Sequence, residues 1–574
     1  MRIALSCVAL AVAALGCNRH APDAPARSSA IDPAWPLLGS SRIADAPHAM
    51  VVSGSPLASE VGRDILRRGG NAVDAAVAVG FALAVVHPEA GNIGGGGFML
   101  IRLASGATQA LDYRETAPAG ATRDMYLDTL GGPTERSVTG HLAAGVPGAV
   151  AGLVEAHRKF GRLPFRDVIA RAIEFADSGF VVDAYRSESI ADDSARLAQF
   201  PASKSAFLPD GRRPAPGSRL LQRDLGRTLA AIRDSGAAGF YRGRVAALIV
   251  AEMQRGGGLV SLADLAAYRP VWRDPIVIRY RRHTIYSMPP ASSGGVTMGE
   301  IFNIMEGFRP LPPYGSPALL HREAEAMRRA FTDRNMHLGD PAFVTMPLAR
   351  LRSKSYAATL RAQIDTSRAS ATPVFEPGPR AGSSTTHYSV VDADGTSVSC
   401  TTTLNESYGS AVTVTGAGFL LNDEMDDFAT APGKPNLYGL VQGEANAIAP
   451  GKRMLSAMTP TIVLDPAGKL FMVLGSPGGP TIITQVYHVI SNVIDHHMPL
   501  ADAVSVPRMH HQALPDAIQL ERGGFTAATV AALEAKGHRV TVRAPFGDVE
   551  AIVRTSTGWR GVSDGRRGGG GAGL

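Results

Sequence analysis

Cysteine is scarce in this sequence, with Cys7, Cys17 and Cys400 the three examples among 574 residues. Three cysteines are too few for the disulfide framework of a small secreted domain. Cys400 falls in a strand-like run, where a free cysteine is most simply a small buried apolar residue. No Cys/His spacing indicates zinc, and the adjacent pair His510-His511 would point to opposite faces of a strand. We therefore expect no metal and no cofactor.

A strong excess of one charge is also absent, because the net charge of +6 is spread over the whole chain. No basic stripe with interleaved aromatic residues occurs, so a nucleic-acid partner is not expected. Beyond the N-terminus there is no apolar run long enough for a membrane span. Nothing marks a linker between residues 46 and 560, which favours one globular unit with a large core.

The N-terminus predicts export from the cytoplasm. Residues 1–17 contain an apolar run, 3–15, that is typical of a secretory signal and short for a membrane-spanning helix. The run ends in a segment that resembles a bacterial lipoprotein processing site, with Cys17 as the lipid-bearing residue. Leu15 stands one place later than in the usual pattern, so release without a lipid is the alternative. We expect a periplasmic protein or one anchored to the outer membrane, with residues 18–45 as a flexible tether.

Residues 381–405 organise the rest of the chain. The β-prone runs 386–391 and 398–403 are separated by Asp394-Gly395, which predicts a hairpin turn. Folding the chain there brings Thr403 and Asn405 level with Thr385. The structural alternative is an ordinary threonine-rich strand pair, because threonine favours strands.

Elsewhere, apolar periodicity predicts helices. They are expected at residues 56–68, 72–86, 148–160, 165–178, 223–235, 320–335, 481–494 and 527–536. Residues 145–380 read as a helical scaffold broken by loops, and the glycine-rich end, 568–573, as a flexible tail. Four glycines at 94–97 lack the Lys-Ser/Thr of a nucleotide loop, so they indicate close approach of the backbone to a neighbouring strand.

Two segments together resemble the γ-glutamyltranspeptidase family: Thr385-Thr-His-Tyr-Ser-Val-Val-Asp-x-Asp-Gly with Thr403-Leu-Asn405, and the glycine-rich run 69–100. The resemblance extends over about residues 48–560. It implies an α/β protein of the four-layer αββα N-terminal-nucleophile hydrolase fold. It also implies self-cleavage between Ser384 and Thr385, giving a large subunit, 46–384, and a small subunit, 385–574, that stay together as a heterodimer.

The chemistry of this family explains why a threonine must become N-terminal. A threonine hydroxyl is a weak nucleophile until a base removes its proton. The α-amine freed by cleavage can be that base, because its reference pKa is about 7.7–8.0. By resemblance, Thr385 is the nucleophile and Thr403 orients its hydroxyl or amine.

The resemblance also assigns the groups that bind the substrate. Arg114, in the motif Leu-Asp-Tyr-Arg-Glu-Thr-Ala-Pro, would hold an α-carboxylate, since guanidinium matches a carboxylate with two donors. The alternative is a surface ion pair with a neighbouring acid. Asp427, Glu424 and Asn405 would surround the α-ammonium. A cavity that has a cationic group for the α-carboxylate and acidic groups for the α-ammonium would recognise the head group of an amino acid.

A lid and a carboxylate-binding segment complete the implied pocket. The long loop 432–450 resembles the family's lid, with Tyr438 as a latch toward Asn405. The family typically carries two adjacent serines after it, whereas this chain has Ser456 and Ala457. Loss of one hydrogen bond to a charged group would weaken glutamyl binding by about 1.5–3 kcal/mol.

Gly478 and Gly479 stand at the start of the helix predicted at 481–494, where backbone N–H groups point outward. Such donors suit an oxyanion, and the family assigns this pair to the oxyanion hole; a simple tight turn is the alternative. The sequence thus predicts transfer of the γ-glutamyl group of glutathione and related amides to water, amino acids or dipeptides. A cephalosporin or glutaryl acylase of the same fold, and an uncleaved peptide-binding lipoprotein, are the competing interpretations.

Overall fold

The computed structural model describes residues 30–372 and 385–574. The strands are β1 (Arg42–Ala46), β2 (Met50–Ser53), β3 (Gly96–Arg102), β4 (Thr108–Asp112), β5 (Phe180–Val181), β6 (Arg219–Leu220), β7 (Val271–Arg273), β8 (Ile276–Tyr280), β9 (His283–Ser287), β10 (Thr385–Val391), β11 (Ser397–Thr403), β12 (Thr461–Leu464), β13 (Leu470–Gly475), β14 (Met509–His510), β15 (Ile518–Glu521), β16 (Val540–Arg543), β17 (Glu550–Arg554), β18 (Trp559–Ser563) and β19 (Gly570–Gly573).

The helices connect and cover these strands. They are α1 (Pro56–Arg67), α2 (Ala72–Val86), α3 (Ala149–Phe160), α4 (Phe165–Ser178), α5 (Ala184–Asp192), α6 (Ser194–Leu197), α7 (Pro201–Phe207), α8 (Arg223–Ser235), α9 (Ala238–Tyr241), α10 (Gly243–Gly256), α11 (Leu262–Ala267), α12 (Gly294–Met305), α13 (Pro317–His337), α14 (Leu348–Leu351), α15 (Lys354–Ala362), α16 (Thr481–Ile494), α17 (Leu500–Ser505) and α18 (Ala527–Ala535). Short 3₁₀ turns lie at Glu135–Ser137, His141–Ala143, Pro209–Gly211, Glu424–Asp427 and Glu444–Asn446.

Two seven-stranded sheets face each other and form the inner layers. One has the order β19-β2-β10-β11-β3-β4-β7, and the other has the order β1-β18-β17-β13-β12-β9-β8. Hydrogen bonds cross between them: the Ser389 hydroxyl donates to the Glu550 carbonyl at 3.0 Å and the Ser399 hydroxyl to the Leu474 carbonyl at 3.0 Å. Helices α1 and α2 cover the outer face of the first sheet, while α12 and α16 cover that of the second. This is the expected αββα arrangement.

Side-chain alternation explains how one strand serves two cores. In β2, Val51 packs with the helices outside the first sheet, whereas Met50 and Val52 pack into the core between the sheets. Helix α2 is buried along its whole length because its sequence is almost entirely apolar. Its start is fixed by Asn71, whose side chain accepts hydrogen bonds from the backbone N–H groups of Val73 and Asp74.

The hairpin of β10 and β11 has the register that the sequence predicts. Thr385 lies directly opposite Thr403, and Gly395 turns the chain with a positive φ of 88°. Strand β3 continues the sheet beyond β11. Its glycines let the backbones approach closely, since a Cβ on Gly95 would lie 2.1 Å from the Thr403 carbonyl oxygen. The prediction of close backbone contact at residues 94–97 is confirmed.

Three predictions from the sequence are wrong in part. Residues 30–45 are packed rather than a tether, because Trp35 is buried and β1 pairs with β18. The glycine-rich tail is ordered as β19, which pairs with β2. The predicted helical scaffold, 145–380, also contains strands β7, β8 and β9 of the two sheets. In the described ranges, no helix combines the length and apolar character that crossing a bilayer requires.

Candidate active site

Two threonine hydroxyls meet where the hairpin strands end. The Thr385 hydroxyl donates to the Thr403 hydroxyl at 3.2 Å, and the backbone N–H of Asn405 donates to the same Thr403 oxygen at 2.8 Å. The carbonyl of Thr385 accepts a hydrogen bond of 3.4 Å from Arg567. Thr385 is 4% exposed, and its side chain opens onto a cavity. The turn at Asp394-Gly395 therefore creates this pair by fixing the strand register.

The cavity joins residues from distant parts of the chain. Its walls include most of the residues that the sequence singles out, together with several apolar ones. The lining residues are Arg114, Arg334, Thr385, Thr403, Asn405, Asp427, Tyr438, Leu440, Leu455, Ser456, Ala457, Met458, Gly479, Pro480 and Ile482. The predicted site residues thus converge on one cavity, with Glu424 and Gly478 directly behind its walls.

Arg114 lies at the end of β4 and is completely buried. Its Nε donates to the Met454 carbonyl at 3.3 Å, and its guanidinium pairs with Glu424 at 2.5 Å and with Asp427. Burial acts to lower the pKa of Arg114, but the carboxylates of Glu424 and Asp427 raise it above its ordinary value. The groups predicted for the two poles of a substrate head therefore contact each other directly.

Glu115 and Glu424 add further carboxyl groups beside this arginine. Burial raises the pKa of Glu115 to about 8 and that of Glu424 well above its ordinary value, although Arg114 opposes both shifts. Glu115 lies 3.5 Å from the guanidinium. Burial thus makes both glutamic acids hold their protons more tightly, while the guanidinium of Arg114 favours their ionised forms.

Asn405 is held in a conformation that aims its amide at the cavity. Its φ of 80° is rare for a residue with a side chain, and its Nδ2 donates to the Asp423 carbonyl at 3.1 Å. Tyr438 closes over it: the phenol donates to Asn405 Oδ1 at 2.7 Å. The predicted contact between the lid tyrosine and Asn405 is therefore present.

Hydrogen bonds from Leu437 and to Tyr438 hold the lid in place. The backbone N–H of Leu437 donates to the Asp426 carboxylate at 3.1 Å, and the Tyr438 carbonyl accepts from Gln512 at 3.0 Å. Burial raises the pKa of Asp426 to about 6, against the effect of its hydrogen bond from Ser137. Specific polar contacts thus hold the loop against the cavity that Thr385 also lines.

Ser456 and Ala457 form the opposite wall. The Ser456 carbonyl accepts from the backbone N–H and hydroxyl of Ser293 at 2.8 and 2.7 Å. Its own hydroxyl accepts from the Met458 N–H at 3.1 Å, which leaves the hydroxyl hydrogen for another acceptor. Ala457 presents only a methyl group.

Gly478 and Gly479 separate β13 from α16. Both have positive φ, 130° and 56°, and a Cβ on Gly479 would lie 2.8 Å from the Tyr438 ring. In residues 30–372 and 385–574, neither backbone N–H donates to a protein acceptor. Because Gly479 lines the cavity beside Thr385, these donors are available to an oxygen bound there.

Comparison with known proteins gives a consistent family. The Gamma-glutamyltranspeptidase family model matches residues 58–574. The Glutathione hydrolase proenzyme of Escherichia coli strain K12 is 46% identical over 518 residues, which cover 88% of each chain. The chain belongs to the gamma-glutamyltranspeptidase family.

Acylases are also similar to this member of the family. The Acylase ACY 1 proenzyme of Pseudomonas sp. strain SE83 is 40% identical over 522 residues, covering 89% of this chain and 90% of that protein. The crystal structure of cephalosporin acylase from Bacillus halodurans superposes with a TM-score of 0.81 at 28% identity, covering 93% of this chain and 97% of the other. The N-terminal-nucleophile hydrolase fold is thereby confirmed.

Arg334, which the sequence analysis does not assign to the site, also lines the cavity. A signal was present, because Arg334 follows Met327 and Phe331 along the buried stripe of α13. An arginine at a core position of a helix is unusual. Arg567 was missed because it precedes glycines that carry no side-chain pattern. The predicted cleavage residue Ser384 and lipid-bearing Cys17 lie outside the described residues.

Proposed function

We propose that this protein is a self-cleaving γ-glutamyltransferase and glutathione hydrolase. It transfers the γ-glutamyl group of glutathione and related amides to water, amino acids or dipeptides through an ester on Thr385. One observation carries the proposal: Thr385 lines a cavity that is also lined by the Arg114–Asp427 pair and by Gly479. Membership of the family supports the same chemistry.

Maturation begins with the precursor's own peptide bond. Thr385 Oγ attacks the carbonyl carbon of Ser384, the bond from that carbon to the Thr385 nitrogen breaks, and the nitrogen takes up the hydroxyl proton. Water then hydrolyses the resulting ester, which leaves a carboxylate on Ser384 and restores the Thr385 hydroxyl. The products are a large subunit, 46–384, and a small subunit, 385–574, in one heterodimer.

Turnover uses the amine that cleavage frees. The Thr385 amine accepts the hydroxyl proton as Oγ attacks the γ-carbonyl, and Thr403 orients the nucleophile. The N–H groups of Gly478 and Gly479 stabilise the oxyanion. The proton passes to the departing amine, and the γ-glutamyl ester remains. Water or an acceptor amine then attacks the ester carbonyl and regenerates free Thr385.

Substrate recognition follows from the two poles of the cavity. Arg114 and Ser456 bind the α-carboxylate, while Asp427, Glu424 and Asn405 bind the α-ammonium. Since Arg114 and Asp427 contact each other, the zwitterionic head enters by replacing one ion pair with two. Tyr438 keeps water away from the ester by closing the lid over Asn405.

The N-terminal sequence extends the proposal to location. A signal over residues 1–17 would deliver the protein to the periplasm, and a lipid on Cys17 would hold it at the outer membrane.

A second candidate is acyl hydrolysis of a glutaryl or cephalosporin type. Ala457 favours it, because the methyl removes one polar contact from the carboxylate wall. The similarity to Acylase ACY 1 is in line with this reading. The paired acids at Asp427 and Glu424, which would face the ammonium, favour the glutamyl substrate.

The decisive experiment compares Thr385→Val with Thr386→Val, the same substitution on the next residue of β10. On a denaturing gel, wild type and T386V should give bands of about 40 and about 20 kDa from the 60.0 kDa chain, in proportion to the two predicted subunits. T385V should stay as one band and lose at least about 10³-fold in activity on a γ-glutamyl anilide.

Two results would overturn the proposal: cleavage of T385V at this junction, or an intact wild-type chain that still turns over the anilide. A glutaryl anilide measured in parallel decides between the two enzymes. Faster turnover of the glutaryl compound by wild type would replace the glutamyl assignment with the acylase. A single inactive wild-type band would indicate a binding protein instead.

A further inference from the structure

Arg334 is a buried cation in the cavity wall that the proposed mechanism leaves unused. It is 2% exposed and projects from α13 toward the wall that holds Ser456 and Ala457. Its Nε donates to the Ser293 hydroxyl at 2.9 Å. Its Nη1 donates to Asn335 Oδ1 at 2.8 Å. All of these are neutral groups, as is its more distant acceptor Gln442.

This arginine has no acidic partner in the part of the chain that the structure describes. A buried charge without a counterion is costly, and the resulting desolvation lowers the pKa of Arg334 to about 10. Asp427 is the acidic residue whose charge acts on it. Its Nη2 donates to no acceptor within residues 30–372 and 385–574. The cavity therefore offers an anion one unused, charged donor.

Arg114, in contrast to Arg334, already has acidic partners. Its guanidinium is paired with Glu424 and Asp427, and its Nε is bonded to the Met454 carbonyl. A carboxylate that enters the cavity must displace one of these acids to reach it. At Arg334 no acid has to be displaced.

The wall beside Arg334 offers a carboxylate few polar groups. Ser456 contributes one hydroxyl, and Ala457 contributes a methyl. Arg334 is linked to this wall through the Ser293 hydroxyl, which donates to the Ser456 carbonyl. A charge-assisted bond from the guanidinium would supply a polar contact that the Ala457 methyl group cannot.

We propose that Arg334 contacts the substrate and determines specificity, donating from Nη2 to the carboxylate on the α-carbon of the acyl group. The identification of that acyl group as γ-glutamyl rests on the proposed function. The inference predicts that the carboxylate contributes more to recognition than the ammonium does. Groups that keep the carboxylate and lack the ammonium, such as glutaryl, should consequently bind well.

Binding of three small acids separates this role from a structural one. L-Glutamate has both α-groups, glutarate lacks the ammonium, and 4-aminobutyrate lacks the α-carboxylate. For the cleaved protein carrying Arg334→Gln, we expect calorimetry to show about 10- to 100-fold weaker binding of glutamate and glutarate. This range corresponds to the loss of a hydrogen bond to a charged group. Binding of 4-aminobutyrate should change by less than about threefold. Arg334→Lys should recover part of the loss.

Arg329→Gln provides the matched control, because Arg329 lies on the same helix, pairs with Glu325 and does not line the cavity. It should bind all three acids as wild type does. Equal losses of all three acids in R334Q would assign Arg334 a purely structural role and overturn the inference, as would unchanged binding of glutamate and glutarate. Binding does not require turnover: Arg334-dependent glutarate binding without γ-glutamyl hydrolysis would refute the proposed function alone.

Discussion

Ser456 and Ala457 show how one hydroxyl can set the balance between two enzyme activities. Ser456 keeps its hydroxyl hydrogen available, while the neighbouring methyl makes the wall partly apolar. The aliphatic side chains of Leu440 and Leu455 line the same cavity. A substrate carboxylate therefore depends strongly on the arginines.

Ala457→Ser should restore a hydroxyl at this wall. We expect kcat/KM for a γ-glutamyl anilide to rise about 10-fold, because a hydrogen bond to a charged group is worth about 1.5–3 kcal/mol and part of it replaces bonds to water. Steady-state kinetics measure the change. Ala457→Gly is the control for altered packing, and equal rates for the two variants would contradict the prediction.

For single residues, the sequence predicts well those positions that the local backbone geometry determines. Thr385 and Thr403 are opposite each other because a two-strand hairpin has few registers, so the turn residues suffice to pair them. The position of Arg334 depends on how α13 meets the lid, which no local pattern encodes. Its place on an apolar stripe marks it as buried but does not reveal the cavity.

The lid reaches the nucleophile's end of the cavity through Tyr438. Tyr438 donates to Asn405 at 2.7 Å, and the chain on either side is held by Asp426 and Gln512. The closing tyrosine also packs on Gly479, so closure brings the lid next to the proposed oxyanion donors.

Tyr438→Phe should loosen this loop without emptying the space that the ring fills. Loss of a neutral hydrogen bond costs about 0.5–1.5 kcal/mol, so we expect KM for a γ-glutamyl anilide to rise about 3- to 10-fold. Hydrogen exchange over residues 432–450 should speed up by a similar factor, while exchange in β10 stays unchanged. Unaltered exchange in the loop would show that the phenol does not hold the lid.

Elements with strong side-chain patterns are predictable, and those without are not. Helices α2 and α16 occur at the predicted residues, since long apolar-periodic runs leave few alternatives. Strand β19 has no such pattern, because glycines pair through backbone groups alone. Strands β7 to β9 were missed for a different reason: they are short and surrounded by helices along the chain.

At the scale of the molecule, both predicted subunits contribute strands to each of the two sheets. In the first sheet, β10, β11 and β19 follow the cleavage point while β2, β3, β4 and β7 precede it. Cutting one bond before β10 leaves every one of these pairings intact. The heterodimer should therefore survive cleavage without an added interface.

The stability of the folded protein should decrease both at high pH and at low pH. Burial raises the pKa of Glu115 to about 8 and of Asp548 to about 7, so the folded state keeps protons that the unfolded state releases. Their contribution is complete below about pH 4 and is lost as pH rises through these values. Burial lowers the pKa of His387 and His510 to about 3, so their contribution is lost as pH falls below about 6.5. We expect the melting temperature to peak at about pH 6.

Asp548→Asn tests the contribution of one buried carboxyl group to this pH dependence. The asparagine cannot ionise, so it avoids the loss of stability that Asp548 causes as pH rises; the melting temperature of D548N relative to wild type should increase between about pH 4 and 7, as measured by scanning fluorimetry. Asp64→Asn is the matched control at an exposed position and should leave the profile unchanged. A parallel curve for D548N would show that this carboxyl does not titrate in the expected window.

Strand β19 has a consequence for when the nucleophile can act during biosynthesis. The last residues of the chain pair with β2, which in turn pairs with the strand that begins at Thr385. A polypeptide whose residues 570–573 are still inside the ribosome lacks this strand, so its first sheet is unfinished. Self-cutting should therefore wait until β19 has been made and released, and products that stop before β19 should accumulate uncut.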